Sequence, residues 1–112
     1  MAYNGWKNYE TWNVALWIDN EPGSYHERCE MAQQAYDDNL DDLDSAKSDL
    51  AKRLEEWVDE MKPDLGASMF SDLLGAALSE VDWYEIAENF LDDVEKPEQE
   101  AEEEEEEKEP TE

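Results

Sequence analysis

His26 and Cys29 are the one histidine and the one cysteine of the chain, and they stand three residues apart. A Cys–His nucleophile pair needs a thiol and a base within hydrogen-bond reach, and a separation of three puts both on adjoining positions of a helix. The alternative is a surface histidine beside a small core thiol. Nothing else in the chain supports catalysis: no Ser-His-Asp arrangement can be built on that histidine, and no nucleophile elbow or phosphate loop is present. The reading is a protein that is not an enzyme. Metal chemistry has as little support. One His and one Cys cannot complete a structural zinc site. Asp37-x-Asn39-x-Asp41 matches the first three ligand positions of an EF-hand loop. Asp42, however, stands where Gly makes the turn, and Ser48 where a bidentate Glu belongs. No cofactor and no dedicated metal site are expected.

The remaining chemistry is that of carboxylates. Thirty-four Asp and Glu against eight Lys and Arg give a formal net charge of −26. Residues 95–112 hold eleven acids and two lysines, a net of −9, which leaves −17 for residues 1–94. The acidity is therefore not confined to the tail, and it exceeds the magnitude of about 2–8 that keeps a small domain soluble. No Lys or Arg occurs between Pro63 and Val94, a stretch that carries Asp72, Glu80, Glu85, Glu88, Asp92 and Asp93. Glu85, Glu88 and Asp92 step three and four residues along one helical face, about 5–6 Å apart. DNA carries about one charge per 3.4 Å of axis on each strand, a comparable density. Asp37, Asp38, Asp41, Asp42 and Asp44 make a second patch. A solvated helix face is the plain alternative. The sharper reading is an anionic surface that takes phosphate positions against the Lys and Arg of a basic DNA- or RNA-binding protein of the host.

The elements that must hold these acids read as helices. Residues 12–18 contain two Trp, three aliphatics and an alanine. That run is too short to cross a membrane, which takes about 20 apolar residues, and too apolar all round for a surface helix. It predicts a buried, Trp-rich helix capped by Asn8 and stopped at Asn20-Glu21-Pro22-Gly23. Asn4-Gly5 predicts a turn in an arm that brings Trp6 against this helix. A second helix starts at Pro22 and ends near Asp38, with Tyr25, Cys29, Ala32 and Tyr36 inward. A third over 45–62, capped by Asp44 or Ser45, buries Ala46, Leu50, Leu54, Trp57, Val58 and Met61. A fourth over 68–79 buries Met69, Phe70, Leu73, Leu74, Ala77 and Leu78. A fifth begins at Asp82, with Glu85 completing a capping box, and buries Trp83, Ile86, Ala87, Phe90, Leu91 and Val94. The expectation is an all-α domain over 1–95, a compact bundle of about five short helices around the Trp-rich one. A disordered acidic tail over 96–112 follows it.

Asn8-Tyr9-Glu10-Thr11-Trp12-Asn13-Val14, continued through Ala15-Leu16-Trp17, resembles the N-terminal signature of a family of small, uncharacterised proteins of phages and bacterial mobile elements. Residues 74–87, from Leu74-Gly75-Ala76-Ala77-Leu78 to Trp83-Tyr84-Glu85-Ile86-Ala87, fit the same resemblance. It implies an origin and a fold unit but no activity. Size, acidity, aromatic content and acidic tail are also similar to those of the antirestriction proteins of phages and plasmids that imitate DNA. Together these lead to the expectation of an acidic phage-type inhibitor that mimics DNA and blocks a component of a restriction–modification or CRISPR system. No direct contact with nucleic acid or membrane is expected. The alternative is a non-catalytic interaction protein of a phage that binds through Tyr3, Trp17 and Tyr84, with acidity serving solubility. One cysteine, no visible signal peptide and no spanning segment make the cytoplasm of an infected or plasmid-bearing cell the expected address.

Overall fold

The computed structural model describes residues 3–94. Five helices follow one another: α1 (Tyr9–Asn20), α2 (Pro22–Asp38), α3 (Leu43–Met61), α4 (Met69–Ser79) and α5 (Trp83–Leu91). Among the described residues there is no strand beyond an isolated bridge between Tyr3 and Trp6. The all-α expectation holds. Segment 96–112, expected to be disordered, lies outside the described residues. No helix among those described is long and apolar enough to cross a membrane.

The arm before α1 is a two-residue hairpin. Asn4 and Gly5 both take positive φ, 50° and 88°, the backbone that a tight hairpin turn demands and that Asn-Gly adopts most readily. Tyr3 and Trp6 exchange backbone hydrogen bonds at 2.6 and 2.8 Å across it. The turn stacks Tyr3 edge-on against Tyr9 and tilted against Trp12, with ring centroids 5.3 and 4.9 Å apart.

Helix α1 is not the fully buried element its composition predicts. Thr11, Ala15 and Ile18 are its buried residues, at spacings of four and three, while Leu16 is exposed and Trp17 is 68% exposed. A helix packed on one side can bury only one arc, however apolar its remaining positions. In α2 the inward face is turned from the expected one. Arg28, Ala32, Ala35 and Tyr36 are buried, Tyr25 is exposed and Cys29 is half-buried. Helix α3 begins two residues earlier than expected, because Asp42 rather than Asp44 or Ser45 is its cap. The Asp42 carboxylate accepts from the backbone N–H of Asp44 and Ser45 and from the Ser45 hydroxyl.

The core lies where α5 meets α2 and α3, with α1 as a side wall. Phe90, Ile86, Ala87 and Leu91 of α5 face Leu50 and Leu54 of α3 and Ala32 and Ala35 of α2. Burying a Leu, Ile or Phe side chain this completely stabilises the fold by about 1.5–3 kcal/mol each, and an alanine methyl by less. Helix α4 takes almost no part. It has no buried residue, and Met69, Phe70 and Leu73 are 63%, 61% and 60% exposed. The apolar periodicity of 69–78 was expected to face the core. Instead only Leu78, near the C-terminal end, packs against it.

Candidate anionic binding surface

Two residues of the N-terminal stretch, Asn8 and Thr11, are structural. The Asn8 side chain caps α1 by accepting from Thr11 N–H at 2.9 Å, and its amide donates to the Glu80 carbonyl at 2.7 Å. The fully buried Thr11 hydroxyl donates to Asn8 Oδ1 at 2.6 Å and accepts the Asp82 N–H at 2.9 Å. Two side chains thus tie the start of α1 to the start of α5. Of the capping box expected there, one half forms: Asp82 Oδ1 accepts from Glu85 N–H at 3.1 Å. The Asp82 N–H is already taken by Thr11, so the Glu85 carboxylate instead accepts from the Lys7 backbone N–H at 2.9 Å.

The bases missing from residues 63–94 arrive through the fold. Lys47 of α3 pairs with Glu88 at 3.1 Å, and Arg28 of α2 pairs with Asp93 at 3.0 Å. Arg28 also holds Asp19 at 2.9 Å and lies over the rings of Phe90 and Tyr25, at 4.1 and 4.8 Å. Burial works against this cation, but the hydrogen bonds to Asp93 and Asp19 outweigh it and leave its pKa above the ordinary value. Its Nη1 is buried with no hydrogen-bond partner among the described residues. A buried arginine beside an alanine face is the feature that sequence periodicity misses, since a charged residue is normally assigned outward.

Asn39, Leu40 and Leu43, from the first acidic stretch, and residues within 88–92, from the second, line one cavity, though the acids in its lining are Glu88 and Asp92 alone. It has a volume of about 390 Å³ and lies between the α2–α3 link and the C-terminal half of α5. Tyr36, Leu40, Leu43 and Leu91 supply apolar lining, and Glu88, Asp92 and Lys47 supply charge. Leu40 and Leu43 are exposed, so the mouth is greasy as well as acidic. The hydrogen bond to Glu88 holds the Lys47 ammonium above its ordinary pKa, so it stays charged and neutralises one carboxylate of this group.

The eleven expected contact residues thus divide. Glu85, Glu88 and Asp93 are engaged within the fold, as are Asp38 with Arg53 at 2.9 Å, Asp37 with Gln33 at 3.1 Å and Asp42 as a cap. Asp41, Asp44, Asp72, Glu80 and Asp92 make no ion pair and no side-chain hydrogen bond among the described residues, and all five are exposed. Asp41 is in the α2–α3 link and Asp44 in the first turn of α3, each next to a residue that lines the cavity, and Asp92 lines it from the other side. Asp72 and Glu80 lie on or next to α4, apart from them. The continuous stripe of Glu85, Glu88 and Asp92 is therefore reduced to Asp92 as an uncommitted charge.

The other chemistry has dispersed. His26 pairs with Glu30 at 3.1 Å in the open. Cys29 lies close enough to the Tyr25 hydroxyl to raise the pKa of that phenol. Among the described residues no three His, Cys, Asp or Glu side chains converge as metal ligands. Of the EF-hand-like residues, Asn39 donates to the Ala35 carbonyl and to Asp49, and Asp42 is the α3 cap. Tyr3, Trp17 and Tyr84 are exposed, though Tyr3 is stacked on its neighbours.

The sequence model of a family of unknown function (DUF7249) matches residues 1–106. No curated protein and no solved structure matches the chain.

Proposed function

We propose that this chain, which belongs to the DUF7249 family of unknown function, is a non-catalytic anionic protein that occupies the nucleic-acid-binding surface of a basic partner. The observation that carries this reading is the meeting of residues 37–44 and 88–92 around one apolar-floored cavity. Asp92 lines it, and Asp41 and Asp44 flank its lining residues Leu40 and Leu43 in sequence; these uncommitted carboxylates would take the place of phosphate oxygens against Lys and Arg. The charge of −26 steers such an encounter and repels nucleic acid and anionic lipid. Exposed Leu40 and Leu43 would cover the methylene stems of the partner's cationic side chains, which are apolar up to the charged head. The resemblance to phage and mobile-element proteins makes restriction, modification and CRISPR components the first targets to try.

The test is capture of DNA-binding proteins from a bacterial lysate, read with duplex DNA as competitor and across salt. Displacement by DNA and a steep loss between about 50 and 200 mM salt are expected, as for phosphate recognition. The triple variant Asp41→Lys, Asp44→Lys and Asp92→Lys should lose capture while keeping its helical circular dichroism. Capture indifferent to DNA and to these three changes sinks the reading. A second reading, apolar anchoring with acidity serving solubility, is favoured by the 68% exposure of Trp17, since exposed Trp is a frequent interface anchor. Loss of capture on Trp17→Ala, with the triple charge reversal harmless, would decide for it.

A further inference from the structure

Helix α4 presents its apolar side chains to solvent. At 3.6 residues per turn, Met69, Leu73 and Phe70 fall within an arc of about 100°, and all three are exposed. Leu65 before the helix and Met61 at the end of α3 are exposed as well. On a monomer, large apolar groups gathered in this way mark an interaction site rather than chance exposure.

The occupant follows from charge. Segment 95–112 offers no large apolar side chain and a net of −9, so it cannot cover this face. A second copy would bring another body of −26. It would also need to bury about 800 Å² on each side. Even at the roughly 150–250 Å² of an aromatic side chain, Met69, Phe70 and Leu73, about three-fifths exposed, fall short of that. The surroundings of the patch are acidic: Asp64, Asp72 and Glu80 lie within 63–80, which has no base. The groove on the other side of α4, at Gly75, Leu78 and Ser79, is bordered by Glu55 and Asp59, and its one cation, Lys62, is paired with Asp59 at 3.1 Å. An apolar strip with an acidic rim is complementary to an amphipathic helix whose apolar residues are flanked by Lys and Arg.

We infer that α4 is a docking site for a basic amphipathic helix of a protein partner, seated on Met69, Phe70 and Leu73. This rests on the partner being basic, as proposed above, and adds a second contact region away from the 37–44 and 88–92 cavity. It assigns to hydrophobic anchoring the affinity that charge alone loses at physiological salt.

The probe is a synthetic helical peptide of leucine and lysine in amphipathic register, with polylysine as the charge-only control. Phe70→Ser with Leu73→Ser should weaken the leucine–lysine peptide by about tenfold or more, the loss of about 1.4 kcal/mol that truncating a central anchor brings. Polylysine binding should be unchanged by the same pair. Unaltered peptide affinity in the double variant overturns the inference. So does sedimentation as a dimer that the double variant abolishes, because the face then belongs to a second copy. Asp41→Lys, Asp44→Lys and Asp92→Lys should weaken polylysine while leaving the α4-dependent part of peptide binding in place. Failure of the α4 pair alone thus removes this inference, and failure of the charge reversal alone removes the function proposed above.

Discussion

Replacing Thr11 by Val exchanges a hydroxyl for a methyl of nearly equal volume at a site with no solvent exposure. Two hydrogen bonds disappear: the one Thr11 donates to Asn8 Oδ1 at 2.6 Å and the one it accepts from the Asp82 N–H at 2.9 Å. Asn8 Oδ1 keeps its bond from Thr11 N–H, so the first loss is about 0.5–1.5 kcal/mol. The Asp82 N–H is left without an acceptor in a part-buried position, at about 1–3 kcal/mol. The added apolar methyl returns about 0.8 kcal/mol. The net expectation is a destabilisation of about 2 kcal/mol. For a domain of this size that corresponds to a fall in Tm of about 8–16 °C. Urea unfolding followed by tryptophan fluorescence should show a lower midpoint with an unchanged slope. Thr11→Ser keeps the hydroxyl and should lie between the two, losing about 1 kcal/mol for the methyl. A Thr11→Val protein within about 0.5 kcal/mol of the parent would refute the reasoning and leave the Asn8–Glu80 bond as the tie between α1 and α5.

Phe70→Ser with Leu73→Ser should leave stability within about 0.5 kcal/mol, as exposed sites do, whereas Leu50→Ala in the core should lose about 2–5 kcal/mol; thermal melts compare them. Asp49 is held below the usual carboxylate range by its hydrogen bond to Arg53 and, more weakly, by Asn39. A depressed folded-state pKa contributes stability above the unfolded value, near 3.9, and loses it as pH falls through the depressed value. Asp49→Asn should therefore melt below the parent at neutral pH, and the two should converge in acid. Added salt should raise Tm, because screening relieves the self-repulsion of a −26 chain more than it weakens its few ion pairs. Truncation after Val94 removes a net of −9 and should slow association with a basic partner while leaving Tm nearly unchanged, as stopped-flow and calorimetry would show.

The sequence by itself determined the helical class and most of the helix ends. Those are local matters: Asn8, Ser68 and Asp82 cap the turns that follow them, and Pro22 and the Asn4-Gly5 pair restrict backbone angles wherever they stand. It also determined the total charge, and the inward face of α5, whose apolar positions leave one arc to bury. What it could not determine is which apolar arcs find a partner. Helices α4 and α5 both carry apolar residues at helical spacings, though α5 is the more one-sided; α5 is clasped by α1, α2 and α3 while α4 is left with Leu78 as its contact to the core. Pairing between charges is decided in the same way. A stretch without bases reads as uncompensated until Lys47 and Arg28, some forty and more residues away, reach Glu88 and Asp93. Packing also made the candidate site, by setting Asn39, Leu40 and Leu43 beside residues 88–92. Adjacency between segments that far apart is a property of packing, and no spacing along the chain encodes it.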